Sequence, residues 1–154
     1  MPAYNAAKTL VQTYEEVMAQ GVVDLVIVVD DASRDETTAI AQKLPNTQVI
    51  KHPKNLGYGG NQKTCYRLAL EAGADIVIMV HPDYQYTPKL IPALVSLIAN
   101  GVHPCVLGSR ILGGTAHARR RGARRPPPNG SRGARSDRGV SLPAGHRVPL
   151  AIIR

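Results

Sequence analysis

Val23-Asp24-Leu25-Val26-Ile27-Val28-Val29-Asp30-Asp31-Ala32-Ser33-Arg34-Asp35-Glu36-Thr37 is the stretch that decides the fold. Residues 23–29 form a short, β-branched run. Such a run, apolar on both faces, suits a parallel strand covered on both sides. The chain then turns polar at once. Two carboxylates follow the strand, and Ser33 and Glu36 stand at capping-box spacing, which opens a helix ending near Leu44. Strand, polar turn and helix in that order are the building unit of an α/β sheet.

The same alternation continues in both directions. Upstream, Leu10, Tyr14, Val17 and Met18 make one face of a helix over residues 6–20, with Asn5 as its N-cap and Gly21 as its stop. Downstream, residues 47–51 read as a strand, and a glycine-rich turn over 55–60 leads into a helix whose face is Cys65, Leu68, Ala69 and Ala72. Residues 75–80 are a third strand. Thr87-Pro88 starts a helix with Leu90, Ile91, Leu94, Leu97 and Ile98 inward, and Pro92 removes a hydrogen bond from its first turn. Residues 104–108 are the fourth strand. The fold class is therefore α/β, an open, mostly parallel sheet flanked by helices. Ligands of such sheets bind beyond the carboxyl ends of the strands. The polar clusters Asp30-Asp31, Asn55 to Gly60, His81-Pro82-Asp83 and Ser109-Arg110 all lie there. The chain passes from Met1-Pro2-Ala3-Tyr4-Asn5 straight into a helix, so the first strand of a doubly wound sheet is expected to be missing.

Composition narrows the function classes. The 154 residues are 44% hydrophobic and carry a formal charge of +8. No apolar run is long enough to span a bilayer, and no secretory leader is recognisable. Cys65 and Cys105 make no disulfide framework or metal cluster and are expected as small core residues. The charge is segregated. Residues 1–113 hold nine Lys and Arg against ten Asp and Glu, whereas residues 114–154 hold ten Arg and one acid, Asp137. The tail is rich in Arg, Gly, Ala and Pro, lacks apolar periodicity and is expected to be disordered. Three readings of it stay open: a solvated basic tail, an arm for RNA or a membrane surface, and an out-of-frame translation of GC-rich DNA. With the charge confined there, no nucleic-acid partner is expected for the body, which lacks a basic patch.

Five motifs carry a resemblance. Pro2-Ala3-Tyr4-Asn5 resembles the end of the first strand in family-2 glycosyltransferases, inverting nucleotide-sugar enzymes of GT-A fold. Val29 to Thr37 resembles their V-D-D-x-S-x-D-x-T segment. Asn55-Leu56-Gly57-Tyr58-Gly59-Gly60-Asn61 resembles their N-x-G-x-G loop. His81-Pro82-Asp83-Tyr84-Gln85 stands where a D-x-D-x-Q metal motif belongs, with histidine replacing the first aspartate. Gly108-Ser109-Arg110 is similar to the G-S-R of the polyprenyl-phosphate branch. The motifs run from residue 2 to residue 110 and stop close to the change in composition.

The resemblance implies a Rossmann-like nucleotide-sugar-binding half over residues 1–113 and transfer of a sugar, with inversion, from a UDP- or GDP-sugar to a polyprenyl-phosphate or other lipid-linked acceptor. The implied place of action is the cytoplasm, at the inner face of the membrane. Pro2, Ala3, Tyr4, Asn5, Asp30, Asp31, Asn55, Gly57 and Gly60 are the implied donor-binding residues. Arg110 is the implied phosphate or acceptor contact, suited by its bidentate guanidinium. Asp83, Gln85 and His81 are the implied ligands of a divalent cation, Mg²⁺ or Mn²⁺; imidazole suits Mn²⁺ better than Mg²⁺. Asp31 and Ser33 also fit a plain helix cap, Asp83 a solvated turn, and the glycines a tight loop. No catalytic base is assigned. A hydroxyl acceptor needs one, whereas a polyprenyl phosphate is already anionic. With the front strand and the acceptor region unseen, the chain is expected to be a truncated and inactive form. Two other readings stand beside this one: a non-catalytic α/β nucleotide-binding module, and a nucleic-acid-associated protein acting through the tail.

Overall fold

The computed structural model describes residues 1–108 and 150–153. These belong to one compact unit. In chain order the elements are β1 (Pro2–Ala3), α1 (Leu10–Met18), β2 (Val26–Asp30), α2 (Thr37–Ala41), β3 (Thr47–Lys51), α3 (Gly57–Glu71), β4 (Val77–Met79), a 3₁₀ turn (Pro88–Leu90), α4 (Ile91–Ala99), β5 (Cys105–Gly108) and β6 (Leu150–Ile153). Every strand pair is parallel, in two hydrogen-bonded sheets of order β1-β2-β3 and β4-β6-β5. Strands alternating with helices, all parallel, are the expected α/β class.

Two expectations need correction. A strand does precede α1: Pro2 pairs with Val29 and Ala3 with Asp30. Two residues carry no periodicity, so the sequence pattern does not reveal them. The end of the segment expected to lack structure, Leu150–Ile153, forms a strand between β4 and β5. The rest of that segment, residues 114–149, lies outside the described residues, as does Arg110.

Core packing follows the predicted faces except at Leu90 and Ala72, which are exposed: Leu90 falls in the 3₁₀ turn before α4, and Ala72 lies just past the end of α3. Leu10, Thr13, Tyr14 and Val17 of α1 are buried, and Leu10 packs in one cluster with Val28 of β2 and Ile91 of α4, all three fully buried. A second cluster joins Val29 of β2, Cys65 and Leu68 of α3, and Met79 of β4. Cys65 is thus the core residue expected, and burial pushes its thiol up; Cys105 is instead exposed. Pro92 falls in the first turn of α4, where a missing N–H costs no helical bond, and a 3₁₀ turn capped by the Thr87 hydroxyl precedes it.

The helix starts differ from expectation. α1 begins at Leu10, because the Asn5 side chain accepts from the Arg34 N–H at 3.0 Å and caps nothing. α2 begins at Thr37 with no side-chain cap, because the Ser33 hydroxyl is engaged elsewhere. α3 begins at Gly57, so the glycines form its first turn and not a separate loop. Gly57 sits at φ +74°, open to any residue only at a steric cost. At Gly60 a Cβ would lie 2.8 Å from Leu56 Cβ. Gly60 is therefore glycine for packing within the turn that starts α3.

Leu10 has no exposed surface and sits where α1, β2 and α4 meet. Leu10→Ala is expected to cost about 2–5 kcal/mol of stability, read as a lower urea midpoint at unchanged slope.

Candidate functional site

The carboxyl ends of β1, β2 and β4 open onto a cleft of about 480 Å³, lined by Pro2 to Ala6, Thr9, Asp31, Asn55, Gly57, Tyr58, Asn61 and His81 to Asp83. A second cavity of about 430 Å³ lies beside the other half of β2, lined largely by apolar residues such as Val26, Ile27, Val77 and Val95. The cleft, not that cavity, gathers converging polar groups, as ligand sites do.

The turn after β2 is built first. Asp30 is fully buried. Its Oδ1 accepts from the Ser33 N–H at 3.0 Å and from the Ser33 hydroxyl, and its Oδ2 accepts from the Thr38 hydroxyl. Three side chains of the same turn then capture three consecutive N–H groups after β1. Ser33 Oγ accepts from Asn5 N–H and Thr37 Oγ1 from Ala6 N–H, both at 2.8 Å, and Asp35 Oδ2 accepts from Ala7 N–H at 3.1 Å. The segment Asp30 to Thr37 thus ties one strand end to its neighbour. The helix cap expected from Ser33 is not formed, since α2 starts without a side-chain cap, and Asp30 is enclosed in this turn and does not line the cleft.

Asp31 is the member of the pair that lines the cleft. Its Oδ1 accepts from His52 Nδ1 at 2.7 Å and from Leu56 N–H at 2.8 Å. Desolvation pushes its carboxyl up, but the hydrogen bonds from Leu56 N–H, His52 and Gly57 N–H outweigh it and hold the group below the usual carboxylate range. Asn55 donates to Asp31 O at 3.1 Å and accepts from Gly57 N–H at 2.9 Å, so its amide orders the entry to α3. Buried Asn61 donates to Val29 O at 3.0 Å and Ala3 O at 3.3 Å, pinning α3 under the ends of β1 and β2.

The loop after β4 supplies His81, Pro82 and Asp83 to the lining. Thr9 Oγ1 donates to Pro82 O, and the Tyr84 hydroxyl donates to Glu16 while accepting from Gln12 at 2.8 Å. The Glu16 hydrogen bond pushes the Tyr84 phenol up. The His81 ring stacks on Tyr58, centroids 5.2 Å apart, and its Nε2 lies 3.2 Å from the Tyr58 hydroxyl. Asp83 is exposed on the cleft, and its Oδ1 accepts from Gln85 N–H at 3.1 Å. Non-glycine residues with left-handed backbone stand in each of the three rim loops: Asn5 at φ +50°, Ala32 at +60° and Tyr84 at +58°. Ala and Tyr there carry strain of order 1 kcal/mol or more, held by the hydrogen bonds around them.

Of the residues singled out from sequence, the fold brings Pro2, Ala3, Tyr4, Asn5, Asp31, Asn55, Gly57, His81 and Asp83 to one cleft. Asp30, Gly60 and Gln85 are not on its lining. Sequence reasoning assigns no role to His52, Asn61 and Tyr58: His52 is a lone side chain without motif spacing, and Tyr58 and Asn61 stand within the glycine-rich motif at positions it leaves without a task. Among the described residues no three His, Cys, Asp or Glu side chains are grouped to hold a metal by themselves.

A parallel α/β unit with a polar cleft at its strand ends defines the class, an open α/β fold whose ligand space lies beyond the carboxyl ends of its strands. The profile of glycosyl transferase family 2 matches residues 1–147, and the chain belongs to that family. The match runs past residue 113, beyond the point where the motifs stop. A UDP-N-acetylglucosamine–dolichyl-phosphate N-acetylglucosaminyltransferase of Methanococcus voltae is 33% identical over 127 residues, 72% of this chain and 50% of that protein. A dolichol-phosphate mannosyltransferase of Pyrococcus furiosus is 30% identical over 116 residues, 74% of this chain and 33% of that protein. An undecaprenyl-phosphate mannosyltransferase of Micrococcus luteus is 29% identical over 118 residues, 74% of this chain and 48% of that protein. The chain spans half or less of the length of these relatives.

The low pKa of Asp31 sets an acid dependence. Its folded value lies below the ordinary aspartate value of about 3.9, so its contribution to stability is present above that value and lost as pH falls through the folded one. The urea midpoint of the chain is expected to drop below pH 4, and to drop less steeply for Asp31→Asn.

Proposed function

We propose that the chain carries the donor site of a glycosyltransferase that moves a sugar, with inversion, from a nucleoside-diphosphate sugar to a polyprenyl-phosphate acceptor at a membrane surface. The observation that carries this reading is the polar cleft at the strand ends, which brings Asp31 and Asp83 to one lining. Family membership supports the class of reaction. The named acceptors of the relatives, dolichyl and undecaprenyl phosphate, support the kind of acceptor. Among the described residues no helix is long and apolar enough to cross a membrane.

Each residue has a task in this reading. Asp31, ionised and anchored on its Oδ1, accepts from N–H and hydroxyl donors of the base and ribose. Tyr4 and Asn5, exposed at the end of β1, border the same nucleotide. Gly57 brings backbone N–H groups close to the ligand without a side chain in the way. Asp83 is the residue to hold a divalent cation, with His81 beside it and Gln85 ordering its carboxylate. The donor set fits: Mg²⁺ and Mn²⁺ commonly take one or two carboxylates and complete their shell from substrate phosphates and water. Such an ion supplies neutralisation of the leaving diphosphate. Arg110, outside the described residues, is the proposed contact to the acceptor phosphate. An anionic phosphate oxygen attacks the anomeric carbon without losing a proton, so this reaction asks the chain for no general base.

Calorimetric titration of the full chain with UDP and GDP, with and without MnCl₂, tests the reading. Binding is expected to require the metal and to weaken about tenfold or more in Asp83→Ala and in Asp31→Ala, a loss typical of hydrogen bonds to charged groups. Asp30→Ala is expected to lower the unfolding temperature by several degrees, since it strands the Ser33 and Thr38 donors. Metal-independent affinity unchanged by Asp83→Ala would leave the cation assignment without support. Sugar transfer to a polyprenyl phosphate, followed by product analysis at the anomeric centre, tests the acceptor and the stereochemistry.

A further inference from the structure

His52 follows β3, belongs to no motif and is 7% exposed. Its ring is held at both nitrogens. Nδ1 lies 2.7 Å from Asp31 Oδ1, and Nε2 lies 3.0 Å from Thr64 Oγ1. An ionised carboxylate only accepts, so Nδ1 carries the hydrogen. Thr64 sits in α3, its hydroxyl oxygen between His52 Nε2 and Gly60 O, 3.2 Å from the latter. The backbone N–H of His52 donates to Asp30 O at 2.8 Å. One buried side chain therefore joins the end of β2, the end of β3 and the first turns of α3. It does not line the cleft; Asp31 stands between it and the ligand space.

We propose that His52 is a positioning residue of the donor site, acting through Asp31. This rests on the reading above that Asp31 contacts the nucleotide. The Asp31 carboxylate has two donors anchoring Oδ1: Leu56 N–H, fixed by the start of α3, and His52 Nδ1–H, fixed by the end of β3. A carboxylate anchored by both presents one orientation to the cleft. With the ring donor gone, the carboxylate is held only by backbone N–H groups at the start of α3 and samples orientations that do not meet the nucleotide, and the entropy of fixing it falls on binding. Thr64, which fixes the far nitrogen, sets the plane of the ring.

Asparagine and glutamine at residue 52 separate positioning from packing. Asparagine can place its Nδ2–H near the position of the histidine Nδ1–H. Glutamine reaches instead toward Thr64, where Nε2 stood. Calorimetric titration of the full chain with UDP and with GDP in MnCl₂, alongside thermal unfolding, reads the outcome. His52→Gln and His52→Ala are expected to weaken binding about tenfold, and His52→Asn to stay within about threefold of the parent. In an Asp31→Ala background the same substitutions are expected to leave the dissociation constant unchanged, as expected when one residue acts only through the other. A packing role would lower the unfolding temperature equally in all three variants without this ordering of affinities. Should His52→Ala fail to fold, the Asn and Gln pair carries the test. If Asp31→Ala weakens binding while His52→Gln binds like the parent, the positioning role is overturned and the nucleotide site stands. The positioning role also falls if His52→Gln weakens binding equally in the Asp31→Ala background. If Asp31→Ala binds like the parent, or the parent binds neither nucleotide, both readings fall together.

Discussion

Three backbone N–H groups, those of Asn5, Ala6 and Ala7, leave the end of β1 with no strand to receive them, and the fold of the cleft depends on where they go. Ser33, Asp35 and Thr37 take one each. A buried N–H without a partner costs about 1–3 kcal/mol, so this lacing fixes the end of β1 against the turn after β2. The turn is itself fixed by the buried Asp30 carboxylate, which binds Ser33 and Thr38. Side chains along a strand point alternately to opposite faces. Asp30, the last residue of β2, is thus directed into the turn, and Asp31 is left to face the cleft. Two adjacent, identical residues acquire opposite tasks from that alternation alone.

The remaining walls hang from the same framework. Asn61 binds the carbonyls of Ala3 and Val29, so α3 is referenced to the same two strands. Thr9 and Glu16 of the α1 region bind the loop after β4 through Pro82 and Tyr84. Each rim loop also contains one left-handed non-glycine residue, and bonds from neighbouring elements hold that conformation in place. Strain supported from outside its own loop indicates walls that are set before a ligand arrives. Tyr84 illustrates it: a bulky residue at φ +58° is kept there by a hydroxyl engaged with two residues of α1.

What the sequence discloses, and what it hides, divides by the range of the interaction. The run Val26 to Val29 announces a buried strand because its signal is local, and the inward faces of α1, α3 and α4 follow from periodicity. Asn5 and Ser33 mislead because both suit a local cap, and both are taken by partners about thirty residues away. The cleft residues Asp31, Asn55 and Asp83 are found because they follow strands in an α/β order. Asp30 is found with them, but its motif does not say which of two carboxylates turns inward, and it is Asp30 that the fold buries. His52 and Asn61 have no local signature, and the fold alone gives them meaning. The glycines are recognised as special, but one answers to a backbone angle and another to a neighbouring Cβ.

The electrostatics of the cleft add a constraint on the proposed donor. Its lining among the described residues holds two carboxylates, Asp31 and Asp83, and no Lys or Arg. A diphosphate entering such a space meets charge of its own sign, at about 4 kcal/mol for each unit pair 4 Å apart at an effective dielectric of 20. Asp31 offsets none of this, because its hydrogen bonds keep it ionised. The compensating positive charge must therefore come with the substrate, as a divalent ion seated at Asp83, or from outside the described residues, where Arg110 stands. In the first arrangement the carboxylate at Asp83 changes from an obstacle to the anchor of the diphosphate, while Asp31 stays at the uncharged end of the nucleotide. The two acids then occupy opposite ends of one ligand, which is consistent with both of them lining one cleft.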